Sequence, residues 1–163
     1  MTKISSILIV AFITLMAFKS DDSLKMQDGR VPNTQMLHIG IVVKDIEAAR
    51  DSWAQLLGLA KKPDITIAEG HEANPTQYRG APTGAKAKLS FFQLENLRVE
   101  LIEPIGDERS DWREFLEKTG GGVHHVAFEV KGMGETYVDS FKTNGYELAQ
   151  HGGWETGEYG YFD

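Results

Sequence analysis

The chain has 163 residues, 41% of them hydrophobic and 25% charged, which is enough for one well-buried core. Its net charge of −7 is spread along the chain without a basic cluster, which argues against nucleic acid as a partner. There is no cysteine, so disulfide frameworks, thiolate metal sites and thiol nucleophiles are excluded.

Residues 1–20 differ in class from the rest. Lys3 supplies a positive start, and 4–18 is an apolar run broken only by Ser5, Ser6 and Thr14. That run suits a signal-peptide core better than a spanning helix, which needs about 20 apolar residues. The expectation is export, to the periplasm or the medium. Phe18, Lys19 and Ser20 make a poor cleavage site, so an uncleaved membrane anchor stays as the alternative. Residues 21–34 are polar, with Gly29 and Pro32, and read as a linker before a domain over 35–163.

That domain opens with an expected strand over 36–43. Asp45 is placed to cap a helix over 46–57, where Ile46, Ala49, Trp53, Leu56 and Leu57 form one apolar stripe and Gly58 ends it. Residues 61–86 mix prolines, glycines and charges, with one short strand expected near 64–68, and His71 reads as a solvated loop histidine. Residues 87–94 and 97–104 then read as a hairpin turning at Glu95-Asn96. On its second strand Leu97, Val99 and Leu101 share one face, and Arg98, Glu100 and Ile102 share the other. Ser110 can cap a helix over 111–118 that buries Trp112, Phe115 and Leu116.

Three glycines follow, and Val-His-His-Val-Ala-Phe-Glu-Val begins at once. Alternation sends His124 with Val126 and Phe128 towards a helix layer, and His125 the other way with Ala127 and Glu129. A helix over 134–144 carries Tyr137, Val138 and Phe141 on one stripe, and Gly145 closes it. Two more strands, 146–150 and 158–163, flank a Gly-rich turn holding His151. An offset of 87 relates His38 to His125, Lys44 to Lys131 and Gly58 to Gly145, so the chain contains a repeat. In both copies a histidine stands two residues before a small one. The modules span about 35–105 and about 120–163. Each reads as β-α-β-β-β, with the last strand of the second absent and an exposed sheet edge expected beside the gap.

The stretches that carry this pattern are Leu-His-Ile-Gly-Ile-Val-Val-Lys-Asp-Ile-Glu-Ala-Ala from Leu37, Val-Glu-Leu-Ile-Glu-Pro from Val99, and Phe-Leu-Glu-Lys from Phe115 through the glycines to His124-His125. Together they resemble the vicinal oxygen chelate superfamily of glyoxalases, epimerases, extradiol dioxygenases and bleomycin-resistance proteins. The last two look most like its methylmalonyl-CoA epimerase branch. The resemblance implies an α+β fold of paired βαβββ modules forming a curved mixed sheet. It also implies a divalent metal on the concave face, with His38, Glu100 and His125 at the first three ligand positions. A His/Glu/His set without sulfur suits cobalt, manganese, nickel or zinc with open water positions. The fourth family ligand, a glutamate that also serves in proton transfer, is expected beyond Asp163.

The implied chemistry is metal-dependent proton abstraction next to a carbonyl, by a lyase or isomerase. Its substrate would be a small molecule, an acyl thioester or a 2-oxoaldehyde adduct. A lactoylglutathione lyase-like enzyme and a non-catalytic binding module of the bleomycin-resistance type stay as alternatives. An extradiol dioxygenase is disfavoured, because its iron triad does not use the Glu100 strand. Residues 84–94, where an epimerase can carry a catalytic glutamate, hold no acid, so no catalytic residue is assigned. Export also sits badly with a cytoplasmic coenzyme A thioester. Whether the fold closes within one chain or in a homodimer is left open.

Overall fold

This computed structural model describes residues 8–11, 36–133 and 137–163. The expected linker over 21–34 and all of the expected leader except 8–11 lie outside the described residues, as does the start of the helix expected from 134. The first module comprises β2 (Met36–Val42), α1 (Ile46–Leu56), β3 (Thr66–Ala68), β6 (Lys86–Gln93) and β7 (Arg98–Ile105), with a small hairpin of β4 (Gln77–Tyr78) and β5 (Ala81–Pro82) between β3 and β6. Helix α2 (Asp111–Thr119) links it to the second module, β8 (Gly122–Phe128), α3 (Val138–Thr143), β9 (Leu148–Trp154) and β10 (Gly157–Phe162). One further strand, β1 (Leu8–Ala11), comes from the N-terminal segment.

The strands form one mixed sheet in the order β3-β6-β7-β2-β8-β1-β10-β9-β4-β5. The two modules meet where β2 and β8 run antiparallel. In the first module β7 lies parallel to β2 and antiparallel to β6. In the second, β1 lies parallel to β8 and antiparallel to β10, the place that β7 takes in the first. The edge expected beside the gap is therefore covered. Local periodicity could not show this, because the strand that fills the slot lies far away in sequence. The register matches as well: Glu100 stands opposite Gly40, and Ile9 stands opposite Ala127, the repeat partner of Gly40.

Capping follows the residues. The Asp45 side chain accepts from Ala48 N–H, and Ser110 accepts from Arg113 N–H, each satisfying a first-turn donor. Gly120 ends α2 at φ 79°, a left-handed conformation that glycine adopts without steric cost. Beneath α1, Val99, Leu101 and Phe92 pack with Ile46 and Ala54. Burying each such large side chain contributes roughly 1.5–3 kcal/mol. Val42, Ala87, Ile102, Trp112, Ala149 and Tyr161 join both modules in a second cluster.

Three local expectations change. Leu56 is 80% exposed and Leu57 37%, so the α1 stripe stops at Trp53, where the sheet no longer lies beneath the helix. The second-module strands run longer than the pattern suggests, and His151 lies inside β9, paired with Gly160. Glycines at 152, 153 and 157 fall in the expected turn, but here they are ladder positions, and a Cβ at Gly153 or Gly157 would collide with the facing strand.

Candidate metal centre

The β2–β8 pairing explains why each histidine is followed two residues on by a small side chain. His38 stands opposite Ala127, and His125 stands opposite Gly40. Each imidazole thus lies over the small residue of the other strand. The fit at Gly40 is extreme: a Cβ there would sit inside 3.0 Å of three His125 ring atoms, Cε1, Nε2 and Nδ1. Glu100 enters from the other side of β2, opposite Gly40 on β7. The strand pairing brings together three residues that are 62 and 25 positions apart in sequence.

Their tips converge. Glu100 Oε2 lies 3.1 Å from His38 Nε2 and 3.3 Å from His125 Nε2, and the two Nε2 atoms are 3.0 Å apart. All three residues are buried, His125 to 1% exposure. A divalent ion with bonds near 2.1 Å and ligands at right angles requires donor–donor edges of about 3.0 Å. The triangle has that size, its donors are two nitrogens and an oxygen, and no thiolate is involved. The residues present therefore fit one face of an octahedral site, with the remaining positions open towards the cavity.

Burial opposes the charge on Glu100, but hydrogen bonds and attraction from His125 and His38 outweigh it and hold the carboxyl at about 2. For His125, burial outweighs the pull of Glu100 and lowers the imidazole to about 4. Near neutral pH the triangle therefore presents an ionised carboxylate and a neutral His125, the forms that bind a metal.

Behind the triangle, His125 Nδ1 lies 3.0 Å from His124 Nδ1, a contact that fixes the ring's orientation. His124 turns towards α2, as alternation implies, with its ring edge-on to Phe115. It also reaches its neighbour because the register shifts here: Gly40 pairs with His125 and Ile41 with Val123, which leaves His124 as the extra residue of a bulge. His124 Nε2 and Asp111 Oδ2 approach to 3.1 Å, yet among the described residues neither atom has an aligned hydrogen-bond partner. His38 Nδ1 is likewise buried without a partner among the described residues.

A cavity of about 370 Å³ opens over the triangle, with walls from both modules. Phe91 and Leu89 come from β6, Trp112 from α2, and Tyr159 and Tyr161 from β10. Tyr161 OH accepts from Trp112 Nε1–H at 2.9 Å, and its ring lies 5.3 Å from that of His125. Burial pushes the Tyr161 phenol well above its ordinary range and Tyr159 up to about 12, so both stay protonated donors. Sequence reasoning assigned neither tyrosine to the site. Their spacing of two on one strand was the available signal. Residues 84–94 place Leu89, Phe91 and no acid on the cavity wall. Glu69 is the carboxylate besides Glu100 among the lining residues, and Lys86 engages it at 2.6 Å.

Other candidate groups do not join the triangle. His71 accepts from Ala73 N–H in its own turn, and His151 pairs with Glu158 at 2.9 Å. Asp45, Glu47 and Glu103 cluster around the start of α1, where Glu103 caps Ile46 N–H at 2.8 Å and Lys88 reaches Glu47 at 3.0 Å.

A family model described as the glyoxalase/bleomycin resistance protein/dioxygenase superfamily matches residues 37–162. An uncharacterised protein of Bacillus subtilis (strain 168) is 37% identical over 91 residues, covering 56% of this chain and 54% of that protein. The mitochondrial methylmalonyl-CoA epimerase of Homo sapiens is 30% identical over 128 residues, covering 77% of this chain and 64% of the human protein. The matches thus span between about half and two thirds of these relatives' lengths. A solved structure of a hypothetical protein from Bacillus halodurans C-125 superposes with a TM-score of 0.46 at 23% identity, covering 71% of this chain and 72% of that one.

Proposed function

Because the chain belongs to the glyoxalase/bleomycin resistance protein/dioxygenase superfamily, we propose that it is a divalent-metal-dependent lyase or isomerase of the methylmalonyl-CoA epimerase kind, moving a proton next to a carbonyl. The observation that carries this reading is the buried triangle of His38, Glu100 and His125, with edges of 3.0–3.3 Å at the base of a two-module cavity. These three side chains would hold the metal, which the donor chemistry limits to cobalt, manganese, nickel or zinc. When bound, such an ion would supply Lewis acidity at a substrate carbonyl.

The chain's own residues supply the rest. Trp112, Tyr159 and Tyr161 wall the cavity and keep water from the reacting carbon. Tyr161, protonated at any ordinary pH, offers a hydroxyl donor beside His125. The proton removed from carbon needs a carboxylate, and Glu69 is available on the cavity wall. Its hydrogen bond to Lys86 lowers its pKa, so it stands ionised on the cavity wall. The wall at 84–94, apolar where an epimerase can carry a glutamate, favours a second reading in which the cavity only sequesters a small ligand.

The test is metal analysis of the purified chain, followed by hydrogen–deuterium exchange at the α-carbon of methylmalonyl-CoA. The glutathione hemithioacetal of methylglyoxal is assayed in parallel. Stoichiometric metal with exchange on either compound supports an enzyme. Tight ligand binding without exchange moves the assignment to the sequestering module. Absence of metal after loading with each of the four ions ends the metal reading.

A further inference from the structure

Asp111 is a buried carboxylate, 5% exposed, in the first turn of α2. Ser110 caps that helix, and the Asp111 backbone N–H donates to Gln150 Oε1 on β9 at 2.8 Å, so two elements fix its position. The positive end of the helix dipole favours negative charge there. Asp111 Oδ2 approaches His124 Nε2 to 3.1 Å, and the other nitrogen of that ring, Nδ1, lies 3.0 Å from His125 Nδ1. The three residues thus form a row that ends on His125 Nε2, one corner of the metal triangle. Phe115 and Tyr161 hold the His124 ring in the row, both edge-on to it, at 4.9 and 5.4 Å between ring centres.

Counting protons along the row gives it a direction. An ionised carboxylate only accepts, and a neutral imidazole carries one N–H and one bare nitrogen. The Asp111 end therefore requires the His124 proton on Nε2, which leaves Nδ1 bare. That nitrogen accepts from His125 Nδ1–H, and the His125 lone pair is left on Nε2, where it faces His38 and Glu100. In the metal-free triangle, His38 Nε2–H can serve both Glu100 Oε2 at 3.1 Å and the bare His125 Nε2 at 3.0 Å. The reverse arrangement sets a bare His124 Nε2 against Asp111 Oδ2, two buried acceptors with no proton between them. These two atoms lie off the ideal hydrogen-bond line, but among the described residues neither has another partner, and charge attraction depends on distance more than on alignment.

We infer that Asp111 is a positioning residue that acts through His124 to set the His125 tautomer, the one that presents a bare Nε2 to the metal. The inference rests on the metal-site reading for the use of that lone pair, whereas the proton arrangement follows from Asp111 and the two histidines.

The experiment uses the full chain with isotope-labelled histidine. Proton–nitrogen NMR spectra near neutral pH, with and without zinc, read which nitrogen of each ring carries the proton, and His124→Asn and His125→Ala assign the signals. The wild-type chain should show the proton on Nε2 of His124 and on Nδ1 of His125 in both states. A proton on His124 Nδ1, in a neutral or a cationic ring, overturns the inference. Asp111→Asn offers an amide that either accepts or donates, so the single arrangement should give way to a mixture. Its zinc affinity, measured by chelator competition, should fall by about 10- to 100-fold. Unchanged tautomers and zinc affinity in Asp111→Asn overturn the inference. Ser110→Ala loosens the same helix start, so it should lower Tm and leave tautomers and zinc affinity as they are. An equal loss of zinc affinity in Ser110→Ala and Asp111→Asn reduces Asp111 to a structural role and overturns the inference. A chain that takes up no zinc, yet shows the stated tautomers and loses them in Asp111→Asn, upholds the role of Asp111 while the metal reading falls.

Discussion

Gly40→Ala is the sharpest test of the site because one methyl group strikes the ligand set from beneath. The added Cβ would lie inside 3.0 Å of three ring atoms of His125, well short of the 3.5–4.0 Å at which carbon atoms pack. The ring must therefore retreat by about 1.5 Å or more. It has nowhere to go: His125 is 1% exposed, with Tyr161 at 5.3 Å, His38 at 5.1 Å and His124 at 5.3 Å between ring centres. Overpacking of this kind costs about 1–3 kcal/mol, and a displaced Nε2 would open edges that now measure 3.0 and 3.3 Å. The expected result is a metal affinity lower by about 10²-fold or more, read by metal content after dialysis against graded chelator, with a lowered Tm. The control is Gly58→Ala. A Cβ there meets nothing within 4 Å, but φ is +65°, so it should cost about 1–2 kcal/mol of stability and leave metal content intact. Unchanged metal affinity in Gly40→Ala would refute the placement of His125 over Gly40, and with it the triangle.

His125→Ala should abolish metal binding. His124→Asn should weaken it by about 10- to 100-fold, because His124 touches the ligand ring at 3.0 Å; equal metal content in His124→Asn and wild type would make His124 purely structural. Acidification should destabilise the metal-free chain. His125 is depressed to about 4 from an ordinary 6.5, so the unfolded chain takes up a proton that the folded chain refuses, and stability is lost as pH falls from about 6.5 to about 4. Glu100, held at about 2, extends the loss from about pH 4.5 down to about pH 2; a Tm that stays flat from pH 7 to pH 4 would contradict the His125 shift, and one that stays flat from pH 4 to pH 2 would contradict the Glu100 shift. Glu69→Gln should lower α-carbon exchange by about 10²-fold or more with metal content and Tm unchanged; full exchange would remove Glu69 from proton transfer.

Much of the architecture was legible because it is written in local chemistry. Asp45 and Ser110 announce helix starts, Gly120 a helix end, and the alternation at 97–102 separates a core-facing row from a concave-facing one, as Val99, Leu101 and Glu100 bear out. The offset of 87 pairs His38 with His125 in the sequence itself. What it could not supply was the reason for the small residue in each copy. That depends on β2 and β8 lying side by side in a register that sets His38 against Ala127 and His125 against Gly40. The bulge that turns His124 back against His125 is equally invisible to a period of two, because alternation assumes an unbroken ladder. Tyr161, Trp112, Glu69 and Arg98 reach one cavity from four different elements or loops, and strand β1 enters a slot formed by residues more than a hundred positions away. Contacts between distant segments are decided by which edges and faces remain unpaired once the local elements have formed, and that is a property of the assembled sheet.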